Sequence, residues 1–230
     1  MKMGAICFVV CLSATAAFAA LSKDEVKRLS QAGEVVTELR SAPDKGVPEN
    51  LWAKAHCVVV IPSMKKGAFI VGGEYGSGVM SCRTADGWSS PVFMQLAKGS
   101  WGLQIGAESI DLVLLVVNEH GVDKLLEDKV TLGADATVAA GPVGRSATAA
   151  TDAQMNAEML AYSRAQGVFA GIDLSGGVLR PDKEADARAY GPAIKAAQII
   201  RDTNHAVHGP AEAAPFIAAL KADVTHAAPR

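Results

Sequence analysis

The sequence lacks several features that would assign it to a common class of protein. It has no surplus of basic residues, since 22 Lys and Arg stand against 24 Asp and Glu, and a dedicated nucleic-acid-binding domain would show one. Beyond the N-terminus the longest wholly apolar run is Leu112–Val117, far short of the roughly 20 residues that cross a bilayer. We therefore expect neither a nucleic-acid partner nor a transmembrane helix in the mature chain.

The motifs of common catalytic and metal centres are also missing. No G-x-S-x-G, H-E-x-x-H or C-x-x-C pattern occurs. The glycine-rich segment 72–78 has no G-x-G-x-x-G spacing, and the segment 141–146 has no Walker lysine. His205 and His208 are three residues apart, but no third metal ligand is placed beside them. The sequence predicts no catalytic residues, no metal site and no cofactor, and we expect a protein that is not an enzyme.

The first 19 residues have the three parts of a secretory signal. Lys2 gives the positive start, Ile6–Leu12 is the apolar centre, and residues 17–19 (Ala-Phe-Ala) form the small-x-small pattern that precedes cleavage. We expect cleavage after Ala19, which leaves one domain of residues 20–230 in the periplasm or outside the cell, peripheral to the membrane. The alternative, an N-terminal helix of the core, is disfavoured because the segment has no polar face.

Cysteine is scarce in the mature chain. Of the four cysteines, Cys7 and Cys11 lie in the leader, which leaves Cys57 and Cys82. Their spacing fits no zinc or redox motif. In the oxidising compartment of an exported protein these two residues can form a disulfide. Two buried free thiols are the alternative.

Helical segments are predicted at both ends of the mature chain. Residues 21–41 have apolar side chains at helical spacing, and Ser22 followed by Glu25 is the pattern of a capping box. After Pro181 the chain becomes helical again, and we expect a helical tail over about residues 192–230 whose apolar side chains pack on the rest of the domain.

The middle of the chain predicts a sheet. From residue 57 to about 118, short apolar or β-branched runs alternate with Gly, Pro and Ser, which is typical of an antiparallel meander. One predicted strand covers residues 101–107, and the polar segment 152–164 is expected to interrupt the later strands. Glycines inside the runs indicate bulges, curvature or close backbone approach. The fold class predicted is α+β: a curved, glycine-rich antiparallel sheet or partial barrel, with the N-terminal amphipathic helix and the C-terminal helices packed against it.

Basic residues flank the apolar stripe of the first helix. They are Lys23, Lys27 and Arg28, and a second basic pair, Lys65 and Lys66, follows a predicted strand. An amphipathic helix with basic flanks can lie on a membrane surface, where each Lys or Arg near anionic lipid contributes about 1 kcal/mol. The alternative is that the helix packs its stripe on the domain and leaves the lysines solvated.

Several segments in order along the chain resemble the SYLF lipid-binding domain, which is shared by exported bacterial proteins and eukaryotic endocytic proteins. The series covers about residues 30–191, and each segment alone would be a weak signal. The matching segments are 58–63 (VVVIPS), 65–67 (KKG), 72–78 (GGEYGSG), 102–108 (GLQIGAE) with Asp111, 132–136 (LGADA), 140–145 (AGPVGR), 162–164 (YSR) and 167–171 (GVFAG).

The resemblance implies lipid binding, to phosphoinositides in eukaryotic relatives, with a basic amphipathic N-terminal helix taking part. Some of those relatives also bind and bundle actin. The predicted export signal departs from the eukaryotic members, so the expected ligand is another anionic phospholipid or membrane surface, and actin is not an expected partner. From charge and loop position, Lys65, Lys66 and Arg145 are candidates for phosphate contacts. A structural or protein-interaction module of the envelope, without a lipid ligand, is the alternative function.

Overall fold

A computed structural model describes residues 20–42, 46–68, 71–101, 106–144, 156–165, 167–203 and 206–222. The predicted leader, Arg145 and His205 lie outside these ranges. The described helices are α1 (Lys23–Ser41), α2 (Glu49–Lys54), α3 (Glu119–Leu125), α4 (Lys183–Tyr190), α5 (Ala196–Ile200) and α6 (Ala214–Lys221), the last preceded by a 3₁₀ turn, Ala211–Ala213.

Helix α1 begins at the predicted capping box. The Glu25 amide donates a hydrogen bond to the Ser22 hydroxyl, and the Ser22 amide donates to the Glu25 carboxylate at 2.7 Å. Two backbone donors at the helix start are thereby satisfied by local sequence alone. Among the helices in the described ranges, none is both long enough and apolar enough to cross a membrane.

The strands form a strongly curled sheet, a half-barrel. Its main path runs in the order β6, β10, β4, β2, β1, β5, β8, β7, with β3 paired to β2 and β9 paired to β8. All pairs are antiparallel except β7 with β8. The α+β prediction with a curved sheet is confirmed. The strands are β1 (Cys57–Ala68), β2 (Val71–Thr84), β3 (Gly87–Trp88), β4 (Val92–Trp101), β5 (Gly106–Val116), β6 (Val130–Thr131), β7 (Val138–Ala140), β8 (Met159–Ala165), β9 (Val168–Gly171) and β10 (Val178–Pro181).

The sheet is buried on both faces because successive residues of its central strands alternate between two cores. One core, on what we call the α1 face, joins strand residues such as Val58 and Val113 to α1 and α6. The other core, on the opposite face, joins residues such as Val59 and Leu114 to α3 and α5. A one-residue shift in register would exchange these two sets, so the apolar pattern fixes the register.

Two glycines of β2 allow the close approach that the sequence indicated. A Cβ atom at Gly78 would collide with the backbone oxygen of Val60, and one at Gly76 would collide with the side chain of Ile61. The β1–β2 pair therefore packs and curves at this point only because both positions lack a side chain.

One segment prediction was wrong, and another falls mostly outside the described ranges. Of the predicted strand over residues 101–107, Trp101 belongs to β4 and Gly106 and Ala107 belong to β5, while residues 102–105 are not among the described residues. The segment 152–164 was predicted to be a polar interruption, yet Met159–Ala165 forms β8, placed between β5 and β7. The polar residues at the end of β8 hid a strand whose first four side chains are buried.

Cys57 and Cys82 are direct cross-strand partners in β1 and β2. The structure joins them by a disulfide, with their Cα atoms 3.9 Å apart. Both residues are buried in the core on the opposite face. The covalent bond therefore fixes the register of the first hairpin where it meets α2.

Candidate functional site

The apolar face of α1 is occupied by the protein itself. Its core residues are at most 3% exposed and pack against the α1 face of the sheet and against α6. Of the two interpretations of this helix, the structure shows the one in which the stripe packs on the domain. The helix therefore has only its polar edges to offer to a partner. The buried residues are Leu29, Ala32, Val35, Val36 and Leu39.

Lys23 and Lys27 lie on an exposed edge of α1. Residues four apart share one side of a helix, and Gln31 and Glu34 continue this edge toward β1 and β5, where both line a cleft beside the sheet. The two lysines are therefore solvent-accessible cations that border the exposed part of the α1 face.

Arg28 is placed quite differently from Lys27. Its guanidinium donates a hydrogen bond to Asp182 at 3.0 Å, and the two side chains are only 13% and 8% exposed. The same guanidinium lies 5.5 Å from the centre of the Phe93 ring. Arg28 thus ties α1 to the start of α4, and we leave it out of any membrane-facing surface.

The partner of Arg28 belongs to a buried pair of acids. Burial by itself would raise the pKa of Asp182, but hydrogen bonds from Arg28 and from the Ala185 amide outweigh it and hold that pKa below its usual value. Among the described residues, no cation is hydrogen-bonded to Asp186. Burial raises its pKa to about 7, and the neighbouring charge of Asp182 adds to the rise, although its carboxylate accepts the Phe93 amide at 2.9 Å. One carboxyl of the pair is therefore charged and the other titrates near neutral pH.

Glu25 makes a second tie between α1 and α4. Its carboxylate is 1% exposed and accepts a hydrogen bond from Arg188 Nε at 2.7 Å. Burial opposes the charge on Glu25, but the bonds from Arg188 and Ser22 keep its pKa below the usual value. Two ion pairs thus anchor the N-terminal turns of α1.

Lys65 lies on the exposed part of the α1 face. Its register partners are Tyr75 on β2 and Ser109 on β5, and Tyr75 in turn pairs with Ala97 on β4. Residues directly opposite one another on antiparallel strands share a face. Tyr75 is 50% exposed, which is unusual for a large side chain on this sheet. These cross-strand partners form a row across four strands, in which the Lys65 cation lies beside the accessible Tyr75 ring.

Two predicted cations remain, Lys66 and Arg145. The backbone of Lys66 is in register with Glu74 and Glu108, so two acidic positions flank it. Arg145 is not among the described residues. Arg180, which the sequence did not single out, is exposed beside this row and donates to the Gln95 side chain at 3.0 Å. Only the pairing of β10 with β4, which no local pattern predicts, brings it there.

A polar cleft of about 270 Å³ lies between the polar edge of α1 and strands β1, β5 and β8. Most of its lining is hydrophilic. Four of the lining residues come from separate segments that resemble the family: Ser63 ends segment 58–63, Asp111 is the position given with 102–108, Arg164 ends 162–164, and Gly167 begins 167–171. The polar residues that line it are Gln31, Glu34, Ser63, Ser109, Asp111 and Arg164.

Part of the polar cleft is held rigid by its own contacts. Ser63 adopts φ of 51°, a left-handed conformation that is uncommon for a residue with a side chain, and its amide donates to Asp111 Oδ1 at 2.8 Å. Arg164 Nε contacts Asp111 Oδ2 at 2.9 Å, and its other end pairs with Glu38. Asp111 therefore caps the irregular backbone at Ser63.

The open side of the polar cleft belongs to α1. Among the residues that the structure describes, Gln31, Glu34 and Ser109 make no hydrogen bond or ion pair through their side chains. These groups are available to a ligand, whereas Asp111 and Arg164 are already engaged. The described ranges contain no group of three or more His, Cys, Asp or Glu that could hold a metal ion.

A second cleft, of about 500 Å³, opens where α2, β3 and α6 meet. Arg40 stacks 4.8 Å from the centre of the Trp52 ring, and Arg83 stacks 4.6 Å from that of Trp88. Both guanidinium groups also donate to backbone oxygens, Arg40 to that of Leu220 and Arg83 to those of α2 and the residue after it. These contacts fasten α2 and α6 to the sheet edge, so we interpret this cleft as structural.

Comparisons with known proteins agree with this arrangement of segments. A family model for Ysc84, described as "Las17-binding protein actin regulator", matches residues 97–223. The "SH3 domain-containing YSC84-like protein 1" of Rattus norvegicus is 34% identical over 182 residues, which is 77% of this chain and 53% of the relative. The human protein of that name is 33% identical over the same length.

A yeast relative gives the same result. The "LAS seventeen-binding protein 3" of Saccharomyces cerevisiae is 34% identical over 161 residues, covering 68% of this chain and 35% of the relative. The chain spans about half the length of the mammalian relatives that it matches. The resemblance drawn from the ordered motifs is confirmed, and the chain belongs to the Ysc84 family, the family of the SYLF domain.

Proposed function

We propose that this chain is a non-catalytic lipid-binding protein that is exported through its 19-residue leader and docks peripherally on anionic phospholipid. The observation that carries the proposal is the grouping of exposed cations with an accessible aromatic ring on one face of the domain. Lys23 and Lys27 border this face, and Lys65 lies on it beside Tyr75. We call these four residues the basic face.

The mode of docking differs from insertion of an amphipathic helix. The apolar side of α1 is buried, so attraction by the lysines has to supply the greater part of the binding energy. At about 1 kcal/mol for each Lys near an anionic surface, three lysines contribute about 3 kcal/mol. Tyr75 adds an amphipathic ring of the kind that is enriched where apolar and wet surroundings meet.

Neutralising the three lysines tests the proposal. We expect a Lys23→Gln, Lys27→Gln, Lys65→Gln variant to bind anionic vesicles about 100-fold more weakly than the wild type, because about 3 kcal/mol of attraction is removed. Binding is measured by co-sedimentation with vesicles of phosphatidylglycerol and phosphatidylcholine.

The matched control removes three exposed lysines from elsewhere, at positions 54, 129 and 195, and so changes the net charge equally. We expect it to bind within about threefold of the wild type, because these lysines lie at the end of α2, just before β6 and at the start of α5, and not on the basic face. An equal loss in both variants would show that only net charge matters, and no loss in the first would contradict the basic face.

The names of the relatives favour a second candidate. Their descriptions speak of Las17 binding and actin regulation, so this chain is alternatively a protein-interaction module without a lipid ligand. Chemical cross-linking that recovers one protein in stoichiometric amount, together with failure to bind vesicles of any composition, would favour that candidate over lipid binding.

A further inference from the structure

We propose that the polar cleft takes the ammonium group of a phosphoethanolamine headgroup while Lys65 holds its phosphate. This inference rests on the proposed lipid-binding function and deepens it, since it names the headgroup that the site would select. The general attraction to anionic lipid and the selection of one headgroup then share Lys65, but only the selection depends on Glu34 and the rest of the polar cleft.

The cleft carries an excess of negative charge, which favours a positively charged ligand group. Arg164 is shared by two acids, Asp111 and Glu38, so this group retains one negative charge in excess. Glu34 adds another, and in the described part of the chain no cation pairs with its carboxylate. A ligand that brings a positive group into the cleft would be stabilised by both.

A positive protein group is the cross-strand neighbour of one lining residue, Ser109. Lys65 is exposed and lies directly opposite Ser109, and Asp111 is two residues further along the same strand on the same face. Diagonal neighbours of this kind are separated by about 7–8 Å. This separation places Lys65 close to the wall of the cleft that Asp111 forms, and a two-carbon linker joins the phosphate and the ammonium in phosphoethanolamine, so the phosphate can meet Lys65 while the ammonium enters the cleft. The positive Lys65 therefore faces the negative phosphate, and the negatively charged cleft faces the positive ammonium.

The lining favours a primary ammonium over a quaternary one. Glu34, Gln31 and the hydroxyls of Ser63 and Ser109 supply oxygen acceptors around the cleft, which suits a group with three N–H donors. Quaternary ammonium groups are recognised by aromatic cages, and none of the residues lining the described cleft is aromatic. A volume of about 270 Å³ suits a headgroup, since pockets for larger ligands reach roughly 300–1,000 Å³.

A soluble probe tests the cleft without a membrane. In an NMR titration of the full mature chain, we expect O-phosphoethanolamine to shift the amide signals around residues 63, 109 and 111 saturably, with at least tenfold tighter binding than phosphocholine. Glu34→Gln should weaken phosphoethanolamine binding about tenfold, because it removes the unpaired carboxylate, and the exposed Glu212→Gln should not. Equal binding of both probes, or an unchanged Glu34→Gln variant, would overturn the inference.

Vesicles then separate this inference from the proposed function. Two compositions carry the same fraction of phosphatidylglycerol, one with phosphatidylethanolamine and the other with phosphatidylcholine as the neutral lipid. We expect about tenfold tighter binding to the first for the wild type and equal binding for Glu34→Gln. Equal wild-type binding to both would overturn the headgroup inference alone, whereas binding to neither would overturn the proposed lipid-binding function.

Discussion

Replacing Arg28 by methionine is expected to lower the free energy of unfolding by about 3–5 kcal/mol at neutral pH. The variant removes one partner of a buried ion pair and leaves the Asp182 carboxylate, only 8% exposed, without its cation. It also removes the guanidinium that lies over the Phe93 ring. Because the pKa of Asp182 is lowered in the folded wild type, the stability from this pair is present above the usual aspartate pKa and is lost as the pH falls through the folded value.

Urea denaturation of the wild type and the variant measures this loss. Lys27→Met is the matched control, since Lys27 is exposed on the adjacent position of the same helix, and we expect it to change stability by no more than about 0.5 kcal/mol. The structural role of Arg28 would be contradicted by an Arg28→Met protein that is as stable as the wild type but has lost binding to anionic vesicles.

Replacing Asp186 by asparagine is expected to stabilise the protein by up to about 4 kcal/mol at pH 8. Burial raises the pKa of Asp186 to about 7 from the usual 3.8, and 1.36 kcal/mol corresponds to each pH unit of this difference. The charged and polar groups that act on it are Asp182, Arg28, the Phe93 amide and Tyr190. Asparagine keeps an oxygen acceptor for the Phe93 amide and carries no charge to bury.

The direction of the pH dependence follows from the raised pKa. Below about pH 4 Asp186 is protonated in both states, so the carboxyl imposes no penalty. Between about pH 4 and 7 the unfolded chain loses the proton while the folded protein keeps it, and the wild type becomes progressively less stable than the Asn variant. Above pH 7 the difference is constant. Denaturation of both proteins at pH 4, 6 and 8 measures it, and a difference that does not change with pH would contradict the assignment.

The local features of the fold could be predicted from sequence because they depend on residues close together in the chain. The capping box at Ser22 and Glu25 needs only a three-residue spacing, and it is present. The alternation of apolar residues revealed the curved sheet for the same reason. By contrast, β8 was missed because its polar end, from Ser163 onward, is stabilised by α1 and β5, which lie far away in sequence.

Lys27 and Arg28 differ in exposure for a reason that the sequence alone does not show. Lys27 and Arg28 are adjacent and were assigned the same role, but one residue turns an α-helix by about 100°. Lys27 therefore points along the exposed edge, whereas Arg28 points at an aspartate 154 positions away. The number of charged residues on a helix can be counted from the sequence. Which of them are exposed to solvent depends on the elements that pack against each side of the helix.

The polar cleft illustrates the same limit for a site. Its residues Ser63, Asp111 and Arg164 were all in segments of the family-like series, so the sequence identified the right neighbourhoods. It could not show that they meet, because their contact depends on β1, β5 and β8 being adjacent in the sheet. Gln31 and Glu34, which form the open side, precede the first of the segments that resemble the family.

The central claim is that the basic face docks on anionic lipid, and its most direct test is co-sedimentation of the mature wild-type chain with vesicles of two compositions. One is pure phosphatidylcholine and the other contains phosphatidylglycerol as well, each measured at low and high salt. We predict binding only to the anionic vesicles and a loss of about tenfold or more at high salt, because screening weakens exposed charges. Equal binding to both compositions, or no binding to the anionic one at low salt, would contradict the claim.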